Sequence, residues 1–370
     1  MKLFKIFTAV LAVSMMFSCV NDNGGKQQEG NNTIVLKVST MFGTRANVDE
    51  VADGYETPIN TGYVFFADGT DVYLAGAINS SEIISDEGQK FTVINEATDI
   101  YVFGNTPAGF DGADFEGTGK LADLLAEAFA ISSQNASATG NGLGNIFMYG
   151  TAPIDFNNKV DIGTPGNPNL VIQVEIDLVP SAARIEFEGI GLKAGSVITE
   201  YTIDAIYLDY FYPQFTGAGV AAGSMLMSAT AADITGRTGY DWAKDAIAEV
   251  IDTPDLGNAD HTAGTDKVWA YQVAPGATPR IIIRLTDITY KPNVSDPEET
   301  LDGARFVTVS GWNDETDALI GAFVKGNVYH AANILFDFDD LTRNPNPGDI
   351  DLYVKVTSTP WVINMVTPVI

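Results

Sequence analysis

Cysteine is almost missing from this chain of 370 residues, and Cys19 is the only one. An internal disulfide is therefore excluded, together with a cysteine-based metal cluster or a Cys–His nucleophile. Histidine is nearly as scarce, with only His261 and His330. Neither is spaced to belong to a metal cluster or a Ser–His–Asp signature. His330 falls in the strand-like stretch Asn327–Asn333, where a structural histidine is the expected role. Long hydrophobic runs are missing too. The longest apolar stretch, Ile6–Phe17, stops short of the ~20 residues a spanning helix needs. Basic residues are few, 20 against 48 acidic ones, for a formal charge of −28. That balance excludes a sizeable phosphate-tracking surface, so no nucleic-acid partner is expected.

Apolar residues make up 45% of the chain and charged ones only 18%, a composition that builds cores. Thirty-six glycines, with 14 tyrosines and 20 phenylalanines, favour short strands and turns over long helices. The N-terminus reads as a processing signal. Lys2 and Lys5 precede the apolar run, and Met16-Phe17-Ser18-Cys19 closes it. The closing tetrad resembles a relaxed bacterial lipobox, which implies cleavage before Cys19 and lipidation of its thiol. An ordinary signal peptide with an incidental cysteine is the alternative. Val20–Asn32 is polar and rich in Gly, Asn and Gln, a tether.

The stretch Thr33–Ala46 organises the rest. Ile34, Leu36 and Val38 alternate with Val35, Lys37 and Ser39, as in a half-buried strand. Such a strand must pair with a sheet elsewhere to satisfy its backbone. Arg45 follows Gly43-Thr44 directly, where a trypsin-like protease could cut. Cutting between Arg45 and Ala46 would leave the strand held by non-covalent contacts alone. Losing residues 1–45 removes five basic and two acidic side chains, which leaves 15 against 46 and a charge of −31.

Further on, strands are expected at Gly62–Phe66, Val72–Ile78, Lys90–Ile94, Ile100–Phe103, Ile146–Tyr149 and Leu170–Leu178, with a turn at Asp68-Gly69. Leu121, Leu124, Leu125, Ala128 and Phe129 follow helical spacing, which predicts one helix over Lys120–Ser132 with Thr118 as N-cap. Pro180-Ser181 reads as a hinge into a second unit. There the strand candidates are Arg184–Phe187, Ile198–Ile203, Ile206–Phe211, Val268–Val273, Arg280–Tyr290, Arg305–Val309 and Leu335–Phe338, with a helix at Tyr240–Ile251. At the C-terminus Leu352, Val354 and Val356 alternate with polar residues up to Pro360. Trp361, Ile363 and Met365 then alternate again. Proline has no N–H for a ladder, so the tail forms two short strands. Trp361 calls for a buried seat.

The catalytic inventory is poor, and no enzyme or cofactor is expected. Gly140-Asn141-Gly142-Leu143-Gly144 follows no strand and opens no helix, so it reads as a loop and not a phosphate cradle. Asp337, Asp339 and Asp340, or Asp111, Asp114 and Glu116, offer hard oxygen ligands outside the EF-hand order. Solvated acidic turns are the default for both sets, with calcium as the alternative.

Several segments together resemble the fimbrillin family of Bacteroidales, the type V pilins. The resemblance is carried by the lipobox at Cys19 and the strand closed by Gly43-Thr44-Arg45. It continues in Asp99-Ile100-Tyr101-Val102-Phe103-Gly104-Asn105-Thr106-Pro107, Ile146-Phe147-Met148-Tyr149-Gly150 and Asp177-Leu178-Val179-Pro180-Ser181-Ala182-Ala183-Arg184-Ile185. Val354-Lys355-Val356-Thr357-Ser358-Thr359-Pro360-Trp361 is the most distinctive segment. Met16 in the lipobox and Phe103-Gly104 depart from the usual pattern. The resemblance implies an all-β fold of two transthyretin-like β-sandwich domains with short helical insertions, over residues 46–180 and 181–351. A lipoprotein signal at 1–19 and a tether with a removable first strand at 20–45 precede them; donor strands at 352–370 follow.

The implied role is a fimbrial shaft subunit. An arginine-specific protease would cut after Arg45, and the emptied groove would take Leu352, Val354, Val356, Trp361, Ile363 and Met365 from another copy. The implied partners are further copies, anchor and tip fimbrial subunits, the outer membrane through the lipid, and host or bacterial surface ligands. One alternative is an anchored lipoprotein of the same fold, acting as a pilus anchor or as a monomeric adhesin or glycan-binding protein. A tip adhesin is the other, and the donor segment argues against it.

Overall fold

The computed structural model describes residues 32–40, 59–135, 146–226, 261–262, 269–345 and 352–360. Among these, the first half supplies β1 (Asn32–Thr40), β2 (Gly62–Ala67), β3 (Val72–Ala77), β4 (Gln89–Val93), β5 (Asp99–Gly104), β6 (Ala128–Ala130), β7 (Met148–Pro153), β8 (Lys159–Asp161) and β9 (Leu170–Pro180). The second half supplies β10 (Ala183–Leu192), β11 (Ile198–Asp209), β12 (Gln214–Thr216), β13 (Ala221–Ala222), β14 (His261–Thr262), β15 (Trp269–Val273) and β16 (Arg280–Tyr290). It continues with β17 (Glu299–Thr300), β18 (Arg305–Asn313), β19 (Asn327–Phe336), β20 (Leu352–Lys355) and β21 (Thr357–Pro360). Helices are short: α1 (Ser80–Ile83), α2 (Lys120–Ala126) and α3 (Ser132–Asn135). No helix among the described residues is long and apolar enough to cross a membrane.

The fold is all-β and sandwich-like. In the first half the strand order is β3-β2-β5-β7-β9-β1-β4, with β8 on β9. The sheet folds over at β9. Val64, Phe66, Ile100, Val102 and Met148 from one layer share a core with Ile34, Leu36, Val38, Ile172 and Ile176 from the other. Two five-stranded sheets make the second half, β14-β10-β19-β21 with β15 on β10, and β11-β16-β18-β20 with β17 on β16. Ile185, Phe187, Ile334 and Phe336 meet Ile206, Leu208, Ile283 and Val307 between them.

Three departures from the sequence expectations have clear causes. The helix over Lys120–Ser132 stops at Ala126. Phe129, on the helical spacing, instead lies in β6, paired with β12 of the second half. Its ring sits 4.4 Å from Phe147 and 6.0 Å from Phe215, so aromatic burial across the two halves overrides local periodicity. The N-cap is Gly119 at φ 75°, not Thr118. Ile198–Ile203 and Ile206–Phe211 are one strand, β11, whose register shifts between Ile203 and Ala205. That bulge keeps aliphatic residues facing inward on both sides of the break. The Pro180-Ser181 junction is pinned and not a hinge. Ser181 is fully buried, its N–H donates to the Phe147 carbonyl at 2.9 Å, and its hydroxyl donates to the Gly217 carbonyl at 2.5 Å. The helix expected at Tyr240–Ile251 and the loop Gly140–Gly144 lie outside the described residues.

Asn105 shows why its motif has the composition it has. Its φ of 54° is left-handed, a region asparagine tolerates better than most residues. Its amide bridges the chain, with Nδ2 donating to the Ile146 carbonyl at 3.1 Å and Oδ1 accepting from the Asn60 N–H at 2.8 Å. Asn105→Ala should cost about 1–3 kcal/mol, since it takes the side-chain donor from the buried Ile146 carbonyl. Urea unfolding of the variant, with an unchanged m-value, checks this.

Candidate functional site: the first strand and the tail

The first strand occupies a slot and not an edge. β1 runs parallel to β9, from Ile34 opposite Ile172 through Leu36 opposite Val174 and Val38 opposite Ile176 to Thr40 opposite Leu178. On its other side it is antiparallel to β4, from Asn32 opposite Val93 to Leu36 opposite Gln89. Ile34 and Leu36 are fully buried and Val38 nearly so, as their alternation predicts.

Val35, on the opposite face, is buried as well. The turn before β4 closes over it, and Gly88 makes that possible. Gly88 has a φ of 70°, and a Cβ there would stand 2.8 Å from the Leu36 carbonyl and 2.9 Å from Val35 Cγ1. Burying four aliphatic side chains at ~1.5–3 kcal/mol each contributes roughly 6–12 kcal/mol before entropy is counted. At the mouth, Lys159 Nζ donates to Asn32 Oδ1 at 2.8 Å. Taking β1 away would expose β4 and β9 as edges on either side of a slot floored by Phe66, Ile100, Val102 and Met148.

The tail is seated on its own half. β20 runs parallel to β18, with Leu352 opposite Val309 and Val354 opposite Trp312. The chain then crosses to the facing sheet, where β21 is antiparallel to β19, with Thr357 opposite His330 and Pro360 opposite Asn327. Leu352, Val354 and Val356 are buried in the core of the second half. The expectation that this segment completes only a neighbour's sheet is corrected here, because it closes one edge of both of its own. At its margin Lys355 Nζ meets Asp317 at 2.7 Å. Nearby, Asp314 is held below the usual carboxylate range, first by the Thr316 hydroxyl and then by the Ala318 N–H, with Lys355 a minor cause. Cys19, Arg45, Ala46, Trp361, Ile363 and Met365 lie outside the described residues.

The remaining chemical candidates resolve into structural roles. His330 faces Glu186 across β10 and β19 at 3.5 Å, and Arg184 Nε donates to the same carboxylate at 2.5 Å. Asp337 accepts from the Asp339 N–H, and Asp340 pairs with Lys193 at 2.7 Å. Asp111 accepts from the Ala113 N–H, and Glu116 from the Ala75 N–H. Among the described residues no group of acidic, His or Cys side chains could hold a metal ion. Sequence reasoning missed the parallel pairing of both β1 and β20, since alternation marks a strand but not its neighbour's direction.

Neither a protein-family model nor a curated protein sequence matches the chain. Solved structures do. A candidate cell adhesion protein from Bacteroides eggerthii superposes with a TM-score of 0.57 at 20% identity, over 93% of this chain and 100% of its own. A fimbrilin from Porphyromonas gingivalis gives 0.50 at 16% identity, over 90% and 99%. A candidate cell adhesion protein from Parabacteroides distasonis gives 0.52 at 9% identity, over 90% and 99%. The chain therefore has the fold of fimbrillins and candidate adhesion proteins of Bacteroidales along nearly its whole length.

Proposed function

We propose that this protein is a structural subunit of a cell-surface fimbria, exported as a lipoprotein through Cys19 and activated by cleavage between Arg45 and Ala46. The carrying observation is the place of β1. It is a central, deeply buried strand, joined to the following domain only through a stretch that contains Arg45. Cleavage there converts it from a covalent part of the sheet into a displaceable one. A strand from another copy can then add to β4 and β9 at once. Because the contact joins two different surfaces, it propagates as a filament. The mature unit on this reading comprises domains over 46–180 and 181–351 with donor residues in 352–370. Its partners are further copies, anchor and tip subunits, an arginine-specific protease and surface ligands.

The test is direct. Unlipidated precursor treated with an arginine-specific protease should form a ladder of polymers on unboiled gels that collapses on boiling. A cleaved chain that stays monomeric at every concentration would overturn the proposal. Anchoring has its own test, because Cys19→Ser should abolish incorporation of a fatty-acid probe and release the precursor from the membrane fraction. Undiminished label would remove the lipoprotein step.

The seating of Leu352–Pro360 on its own half supports a second reading. A monomer complete in itself suits an anchored lipoprotein acting as a pilus anchor, adhesin or glycan-binding protein. Surface material that retains residues 19–45 selects that reading.

A further inference from the structure

The first strand and the tail share a sequence. Ile34-Val35-Leu36-Lys37-Val38-Ser39-Thr40 aligns without a gap on Leu352-Tyr353-Val354-Lys355-Val356-Thr357-Ser358. Lysine and valine recur at Lys37/Lys355 and Val38/Val356, aliphatic replaces aliphatic at Ile34/Leu352 and Leu36/Val354, and both segments end in two hydroxyl residues. Their settings match as well. Each has a parallel partner, β9 for β1 and β18 for β20, the less common arrangement in sheets. Both bury the three alternate aliphatic residues. Both leave the lysine between them outside the core, Lys37 half-buried and Lys355 exposed.

One difference gives a direction. Among the described residues β20 and β21 are edge strands with a single neighbour each, whereas β1 has a neighbour on both sides. A tail that leaves its edges for an emptied slot exchanges one ladder for two, so the vacated site is the better-paired seat for the same pattern.

We propose that the tail of a second copy replaces the first strand residue for residue. Leu352, Val354 and Val356 take the seats of Ile34, Leu36 and Val38, and Lys355 lies beside Glu175 of the acceptor. This rests on the strand-exchange reading above and adds a register and a specificity contact. Lys37 stands opposite Glu175 in the pairing of β1 with β9, so the incoming lysine inherits an opposite charge. A slip of one residue would turn Lys355 into the core. A slip of two would move it to Gln173 or Asp177. The one misfit is Tyr353 in the place of Val35, under the Ser85–Gly88 turn. That turn has to lift, while the sheet backbone stays where it is.

The chain without residues 1–45 contains no cysteine, so an engineered pair reports alone. Mature protein carrying Lys355→Cys and Glu175→Cys, polymerised and oxidised, should give a covalent ladder on non-reducing gels. The pairings of Lys355→Cys with Gln173→Cys or Asp177→Cys should give at least tenfold less. A crosslink that favours either of those positions overturns the register. So does one obtained from Asn364→Cys in place of Lys355→Cys, which would seat the Trp361–Thr367 segment in the slot. If the cysteine variants fail to assemble, charge exchange decides. Lys355→Glu and Glu175→Lys should each cut polymer yield at least fivefold, and the double variant should restore it; no restoration overturns the contact. Failure of the underlying reading looks different. Unmodified mature protein would then form no ladder, or one that survives deletion of residues 352–370, and the register would fall with it.

Discussion

Precursor carrying Arg45→Ala is expected to reach the cell surface and remain monomeric. The first strand would stay tethered beside a slot that holds it through two ladders and buries Ile34, Val35, Leu36 and Val38. A strand joined by a short linker competes at an effective concentration on the order of millimolar. An incoming tail present at micromolar concentration is therefore outcompeted by roughly a thousandfold. Polymer on unboiled gels should fall by a similar factor, while the thermal unfolding of the monomer stays as in the uncut wild type. Filaments in which residues 32–45 remain attached would show that cleavage is not the trigger.

The second large effect concerns the tail. Truncation before Leu352 should abolish polymer and also destabilise the second half of the monomer. The donor role that the resemblance implies for residues 352–370 predicts a tail that can be removed with both sandwiches intact. The seating of β20 on β18 and β21 on β19 reverses that expectation. Loss of Leu352, Val354 and Val356 forfeits roughly 5–9 kcal/mol of gross burial and opens an edge on each sheet. Recovered tail entropy reduces the net loss to several kcal/mol, a large share of the ~5–15 kcal/mol that holds a typical domain together. Differential scanning calorimetry should show a lowered transition for the truncated chain. An unchanged transition would mean that the tail contributes nothing to its own domain.

The parts legible in the sequence are those set by period-two alternation. β1, β4 and β9 fall where apolar and polar residues alternate, because a sheet with one face in a core leaves that mark. β19 was only partly legible. Asn327, His330 and Asn333 interrupt its pattern, and its burial at the start depends on β21, twenty-seven or more residues away in sequence, folding back on it. Phe129 misled through helical spacing, because its burial is decided by Phe147 and Phe215 and not by its own neighbours. The tail's seat was illegible for a related reason. Leu352–Ser358 carries the same alternation as Ile34–Thr40, and a pattern that fits two slots cannot say which one is filled.

Mass-spectrometric determination of the N-terminus of polymer sheared from the cell surface tests the central claim most directly. The account predicts subunits that begin at Ala46, with the first strand gone from every joint. Polymer whose subunits still carry residues 19–45 would contradict it.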